Sequence, residues 1–326
     1  MHAIIPVAGK GTRLRPHTYS TPKALLPVAG RPILAHIIDR LIEAGIERLT
    51  LIVGHLGDQI VEWTKNRYDM PVDFAVQESM DGLAAAVLLA SPWCDDSRTM
   101  VVLGDTIFEA DLSCLGSGSP NIIGVKRVED PGRFGVVVME GDRVVRLVEK
   151  PAEYVSDIAI VGIYCFNSGS GLMNACSSLV DSGRRTKGEF QLTDAMQDML
   201  DGGEEFGTFQ VESWYDCGNV ETMLETNRVI LDANPPEISQ GLLHDSIVIQ
   251  PSFVSPDAKL SSSVIGPYAS IGPGSIIERS VVSDSIVGSN SRITSAVLEH
   301  SLVGNDVVVE GHLQSLNTGD NSVIEL

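Results

Sequence analysis

Short apolar runs alternate with helical patterns from residue 1 to about residue 235, and beyond that the helical patterns stop. "HAIIPV", "RLTLIV" and "MVVLGD" read as buried strands. Between the first two lies "PILAHIIDRLIEAG". Its Ile33, Leu34, Ile37, Ile38, Leu41 and Ile42 are predicted to share one helical face, with Pro32 near the start and Gly45 past the end. Strand, helix, strand, repeated, predicts a mainly parallel sheet covered on both sides. "GVVVMEGDRVVRLVEKP" departs from that rhythm: two alternating runs flank "EGD" and predict a hairpin. The first half is therefore expected to be a Rossmann-like α/β fold, a mixed, mostly parallel sheet with an inserted β excursion.

After "NPPEISQG" three segments align at a spacing of 16, beginning at Ile265, Val281 and Val297. Ile271, Val287 and Val303 occupy one column, each followed by glycine, and Ile277, Ile293 and Val309 occupy another. A partial earlier copy begins near Ile249. So short a period, with one apolar residue in about six, suits a coil with three short strands per turn and a core stacked in one dimension. A sandwich of short strands is the alternative. The pattern predicts two domains, 1–238 and 244–326.

Composition narrows the class. The 326 residues suffice for one large or two ordinary domains, and a hydrophobic content of 43% is ordinary for a globular chain. No apolar run approaches the ~20 residues of a membrane span. "MHAIIPVAGK" lacks the features of a signal peptide, so a cytoplasmic protein without a membrane role is expected. The five cysteines are scattered without C-x-x-C, as small hydrophobes in a reducing compartment would be. A formal charge of −20, from 43 Asp+Glu against 23 Lys+Arg, argues against a nucleic-acid partner.

One stretch runs against that charge. "VAGKGTRLRPHTYSTPK", from Val7 to Lys23, holds Lys10, Arg13, Arg15 and Lys23 and no carboxylate; the next acid is Asp39. It follows a buried strand and precedes a helix, where open α/β sheets bind ligands. Gly9 and Gly11 let the backbone approach a ligand closely, and the cations imply an anion of several charges. A dinucleotide fingerprint wants a third glycine where Leu14 stands, and the spacing also misses the P-loop. "GKG" alone would be read as a solvated basic loop.

The longer string "GKGTRLRPHTYSTPKALLPVAGRP" resembles the opening of the sugar-1-phosphate nucleotidyltransferases, G-x-G-T-R-L-x-P-x-T-x-x-x-P-K-x-L-x-P-V, from Gly9 to Val28. Ala8 stands where many members have another glycine. "QESMDGLAAAV", "LGD", "RFGVV", "EKP", "GEFQLTDA" and "WYDCGN" follow in the family's order, and the carboxyl-terminal repeats resemble its appended left-handed β-helix of hexapeptide type. "QESMDGLAAAV", which resembles the family's base-reading stretch, and the terminal "SLNTGDNS" look closest to long-form glucose-1-phosphate thymidylyltransferases.

The resemblance implies joining a nucleoside triphosphate, with dTTP expected ahead of UTP, to a sugar 1-phosphate and releasing pyrophosphate. It implies Arg13 and Lys23 on the phosphates, with Ala8, Gly9, Gly11 and Thr12 around the nucleotide. Gln77 and Gly82 would take the base, the amide of Gln77 suiting the paired N–H and C=O of a pyrimidine. Asp105 and Asp216 would hold Mg²⁺. Lys150 would take the sugar phosphate and Glu149 a sugar hydroxyl, with Gly135, Glu189 and Thr193 in the same pocket. The coil is expected to serve assembly or regulation in a homo-oligomer; an acyltransferase site there is the alternative, with no base marked among His244, His300 and His312. A regulatory subunit without activity would be expected to lose Arg13, Lys23, Asp105 or Lys150, and all four are present.

Overall fold

The computed structural model describes residues 1–112, 120–237 and 243–312; Cys114 and the "SLNTGDNS" motif lie outside the described residues. The first half runs β1 (His2–Pro6), β2 (Pro27–Val28), β3 (Arg31–Pro32), α1 (Ile33–Glu43), β4 (Arg48–Val53), α2 (Gly57–Arg67), β5 (Val72–Val76) and α3 (Leu83–Leu88). It continues through β6 (Thr99–Val102), β7 (Thr106–Glu109), β8 (Asn121–Arg127), β9 (Gly135–Glu140), β10 (Arg143–Glu149) and β11 (Ile158–Phe166). Then come α4 (Gly169–Ser182), α5 (Leu192–Asp201), β12 (Phe206–Gln210), β13 (Ser213–Asp216) and α6 (Val220–Ala233).

The main sheet has the order β10-β9-β11-β6-β1-β4-β5, with β8 pairing β11 and β12. β1 runs parallel to β4 and β6, and β4 parallel to β5, whereas β11 is antiparallel to β6 and β8. The sheet is thus mixed, and "GVVVMEGDRVVRLVEKP" supplies the β9–β10 hairpin. Ala3, Ile4 and Ile5 on β1 and Leu49, Leu51 and Ile52 on β4 have no exposed surface, which is why these strands read as apolar runs. α1 buries Ile33, Leu34, Ile37, Ile38 and Leu41 as expected, but Ile42 is 41% exposed. At 100° per residue Ile42 stands about 110° from the centre of that stripe, beyond the edge of the covered face.

The chain divides into two compact units, Met1–Leu26 with Arg31–Thr222, and Pro27–Gly30 with Met223–Leu326. Most of α6 groups with the coil. Asn227 on α6 is fully buried; its Oδ1 accepts from the Ala29 N–H at 2.8 Å and from Ser270 Oγ at 2.7 Å. Arg228 pairs with Asp284. These polar contacts leave no trace in an apolar pattern, so the pattern assigns the helix to the first half.

In the second unit the strands form three parallel stacks, each strand pairing with the one a coil later. Ile271, Val287 and Val303 are successive partners, as are Ile277, Ile293 and Val309. Inward Ile265, Ile271, Ile277, Val282 and Ile293 are fully buried. This is a parallel β-helix, in keeping with the left-handed type, and not a sandwich. The earlier copy is longer than the spacing of 16 reveals. Leu243 pairs with Leu260 and Leu260 with Ile277, steps of 17, before Ile277, Ile293 and Val309 settle to 16.

Candidate active site

β1 ends at Pro6 and delivers the basic loop to the carboxyl edge of the sheet. Gly11 sits at φ +58°, and its carbonyl accepts from Thr18 Oγ1 at 2.8 Å, which closes the loop on itself. Three short 3₁₀ turns follow, at Thr12–Leu14, His17–Tyr19 and Lys23–Leu25. Leu14 and Ala24 are buried and pin the turns, leaving Arg13 exposed and Lys23 half-buried. The Lys23 ammonium reaches across to Asp105, with Nζ 2.7 Å from Oδ2.

Asp105 follows β6, next to β1 in the sheet. The residues after it form a two-stranded ribbon, β7 with β13, in which Asp216 stands opposite Thr106. The Cys217 N–H donates to the Asp105 carbonyl at 3.2 Å, so the two aspartates lie at the same end of the ribbon, Asp105 just before β7 and Asp216 at the end of β13. Arg13 joins them: a Cβ at Gly218 would lie 2.7 Å from Asp216 Oδ2 and 3.1 Å from Arg13 Nη2.

A second cluster grows from the hairpin. Gly135 at the start of β9 pairs with Glu149 at the end of β10. Thr193, in the first turn of α5, donates from Oγ1 to Glu149 Oε2 at 2.7 Å. A Cβ at Gly135 would lie 2.9 Å from that same Oε2 and 3.0 Å from Thr193 Oγ1, so only glycine leaves the carboxylate in place. Lys150 Nζ is 3.3 Å from Glu149 Oε1. Lys150 adopts φ +41°, a left-handed conformation that costs a side-chain-bearing residue free energy and that clusters at functional sites. Tyr164 is buried beside this group; burial, with the Glu149 charge, holds its phenol far above the usual range and therefore neutral.

The two clusters meet in one cleft of about 390 Å³, lined by Arg13, Asp105, Gly135, Glu149, Lys150, Thr193 and Asp216. A smaller cleft of about 200 Å³ is lined by Gly9, Lys23, Gly104 and again Asp105. Asp105 thus borders both. The remaining expected residues line neither cleft. Ala8 is buried beneath the loop, Gly11 makes its turn and Thr12 is exposed. Gln77 is half-buried just past β5, its N–H bonded to the Val53 carbonyl at 2.8 Å, and Gly82 precedes α3 at φ +114°. Glu189 is exposed and accepts from Gln191 Nε2 at 3.0 Å; Gln191, not Glu189, lines the larger cleft.

Arg133, Phe134, Gln191 and Trp214 also line that cleft and were not singled out from the sequence. Three of them sit inside the motifs "RFGVV" and "WYDCGN", where a cation and two aromatics flank the glycine and the aspartate that drew notice. Phe134 and Trp214 pack edge to face, 4.8 Å between ring centroids.

The donor set suits a hard divalent cation: two carboxylates at one end of the β7–β13 ribbon, with room for ligand oxygens. Among the described residues no group of three or more His, Cys, Asp or Glu could hold a metal without such help. No described helix is long and apolar enough to cross a membrane. Cys165, Cys176 and Cys217 are buried thiols and Cys94 is half-buried.

The chain is similar to several known proteins. Glucose-1-phosphate thymidylyltransferase of Streptomyces antibioticus is 31% identical over 359 residues, which span 100% of this chain and 99% of that protein. The bifunctional protein GlmU of Methanocaldococcus jannaschii is 30% identical over 346 residues, 99% of this chain and 80% of that one. A solved UDP-glucose pyrophosphorylase, complexed with UDP-glucose, superposes on 72% of this chain and 99% of its own at a TM-score of 0.62; at 22% identity the likeness is one of fold. Residues 2–233 match the profile of the nucleotidyl transferases and hold every residue of the two clefts, so the chain belongs to the nucleotidyl transferase family.

Proposed function

We propose that the protein transfers the thymidylyl group of dTTP to glucose 1-phosphate, giving dTDP-glucose and pyrophosphate. An oxygen of the sugar phosphate forms a bond to the α-phosphorus. The bond from that phosphorus to the oxygen bridging to the β-phosphate breaks, and pyrophosphate leaves with the electron pair. The observation that carries the reading is the position of Asp105, bordering both clefts with the Lys23 ammonium 2.7 Å away. One cleft suits the nucleotide phosphates and the other the sugar phosphate.

Bringing two polyanions together is the main obstacle. Each pair of like charges ~4 Å apart costs about 1 kcal/mol in water and about 4 kcal/mol at an effective dielectric of 20. Catalysis then consists mostly of neutralisation and positioning. Arg13 and Lys23 neutralise the triphosphate, and Lys150 takes the sugar phosphate. Glu149, fixed by Thr193, accepts a hydrogen bond from a sugar hydroxyl, and Gly135 leaves it room. Asp105 and Asp216 would hold Mg²⁺, which when bound supplies Lewis-acid neutralisation of phosphate charge. Gln77, with the backbone of Gly82, would read the pyrimidine edge.

The choice of thymidine follows relatives of matching length, since the Streptomyces antibioticus and Streptomyces griseus proteins are both named for it. The coil is assigned to assembly of a homo-oligomer, because a short stack leaves ends and faces to be covered. The test is pyrophosphate release with Mg²⁺, dTTP, UTP, ATP, CTP and GTP against a panel of sugar 1-phosphates. The highest kcat/KM is expected for dTTP with glucose 1-phosphate. The margin over UTP should be modest, since a methyl group is worth ~1–3 kcal/mol. Preference for another pair would reassign the substrates, and silence with every pair would favour a regulatory subunit.

A further inference from the structure

The loop before α3 and the segment leading into α5 are stitched to each other. The first ends in Gly82 and runs into Leu83 of α3, which lines the larger cleft; the second ends in Gln191 and runs into Thr193 of α5, both of the same cleft. The Phe190 N–H donates to the Asp81 carbonyl at 2.7 Å, and the Ala84 N–H donates to the Phe190 carbonyl at 2.9 Å. A Cβ at Gly82 would fall 2.4 Å from the Phe190 carbonyl oxygen, so the two backbones touch there with no space for a side chain.

Arg185 lies across this seam. One guanidinium nitrogen, Nη2, is 3.0 Å from Asp81 Oδ1, and the other, Nη1, donates to the Gly188 carbonyl at 3.1 Å. The guanidinium carbon stands 4.0 Å from the centroid of the Phe190 ring, a close cation–π contact. A single side chain therefore grips the first loop through Asp81 and the second through Gly188 and Phe190. Its neighbour Arg184 does no such thing and pairs instead with Asp198 on α5.

We propose that Arg185 is a positioning residue that makes the base-side loop and the sugar-side segment move as one body, so that a substrate ordering one of them orders the other. The proposal rests on the two-substrate reading given above. It has a kinetic signature distinct from that of a residue on the reacting phosphates: both substrates lose affinity together and the chemical step does not change.

The test combines kinetics and amide exchange on the full-length chain. Arg185→Ala should raise the KM of nucleotide and of sugar phosphate together, each about tenfold, with kcat at saturation within about threefold of the parent. Asp81→Asn, which removes the ion pair and keeps the ring contact, should raise both by about threefold, and Arg185→Lys, which keeps the charge without the planar fork, should recover only part of the loss. Hydrogen exchange reads the seam without turnover: in Arg185→Ala the amides of Ala84 and Phe190 should both exchange about tenfold faster, while the β1 and β4 amides stay protected. A rise in one KM without the other, a fall in kcat with both KM values unmoved, or faster exchange at only one of the two amides would overturn the proposal. If the parent enzyme releases no pyrophosphate from any substrate pair, the functional reading fails, and the exchange data alone decide whether Arg185 joins the two segments.

Discussion

Both units bury apolar side chains, and they differ in what their edges do. In the first, β1, β6 and β10 end among loops and a ribbon that bring Arg13, Lys23, Asp105, Glu149, Lys150 and Asp216 to two clefts sharing one carboxylate. In the coil every strand repeats the one before it. The column Ile277, Ile293, Val309 shows how such stacking extends a core one strand at a time. Where ionisable groups do meet there, as Arg228, His300 and Asp284 do, they pair off: burial opposes the Asp284 charge, but the bonds from Arg228 and His300 outweigh it and hold the carboxyl below its usual range. The site of the first unit lies where open α/β sheets bind ligands, at the carboxyl ends of strands.

The largest effect should come from the residue the two clefts share. Asp105→Ala is expected to lower kcat roughly 10³-fold, about 4 kcal/mol of transition-state stabilisation, with little change in melting temperature. A variant of near-parent activity would remove the carboxylate from the chemistry. The coil should answer in the opposite way. Ile277 is fully buried, and Ile277→Ala should cost about 3–4 kcal/mol of stability in denaturant unfolding, with kcat at low temperature unchanged. A tenfold fall in kcat there would break the contrast between site and scaffold.

Acid should separate the units next. His2 on β1 is 5% exposed and bonds Thr50 Oγ1 at 2.8 Å; burial, with the charge of Arg48, lowers its pKa to about 4. The unfolded chain takes up this proton near pH 6.5 and the folded one only near pH 4. Stability is therefore complete above about pH 6.5 and is lost as the pH falls towards 4, by roughly 3 kcal/mol in all. The described histidines of the coil, His244, His300 and His312, are exposed. Unfolding curves of the parent and of His2→Gln between pH 7 and pH 4 would measure the difference. A parent curve as flat as the variant's would refute it. The smallest effect is steric. Gly135→Ala pushes a methyl against Glu149 and Thr193 and should raise the KM for the sugar phosphate about tenfold, ~1.4 kcal/mol, leaving that for the nucleotide alone.

Much of this was legible in the chain. Apolar runs give the buried strands, and a column of residues every 16 positions gives the coil, because both depend on local periodicity. The site was legible where a motif fixes a backbone, as in the Gly9–Lys23 loop and the Gly135–Glu149 pair. What escaped depends on partners far away in sequence. Asn227 and Arg228 tie α6 to the coil through polar contacts that carry no period. Gln191 faces the cleft while the more chemically conspicuous Glu189, two residues earlier, stays exposed and anchors its amide. The first coils were missed in part because their step is 17, and a search tuned to 16 loses register after one turn.

The central claim is that Asp105 stands between two anionic substrates and serves both. A crystal structure with Mg²⁺, glucose 1-phosphate and a non-hydrolysable dTTP analogue tests it most directly. The account predicts the α-phosphate and the sugar phosphate on either side of the Asp105 carboxylate, with Lys23 on the nucleotide side and Lys150 on the sugar side. Both ligands bound elsewhere, with Lys23 still closed on an unengaged Asp105, would contradict it.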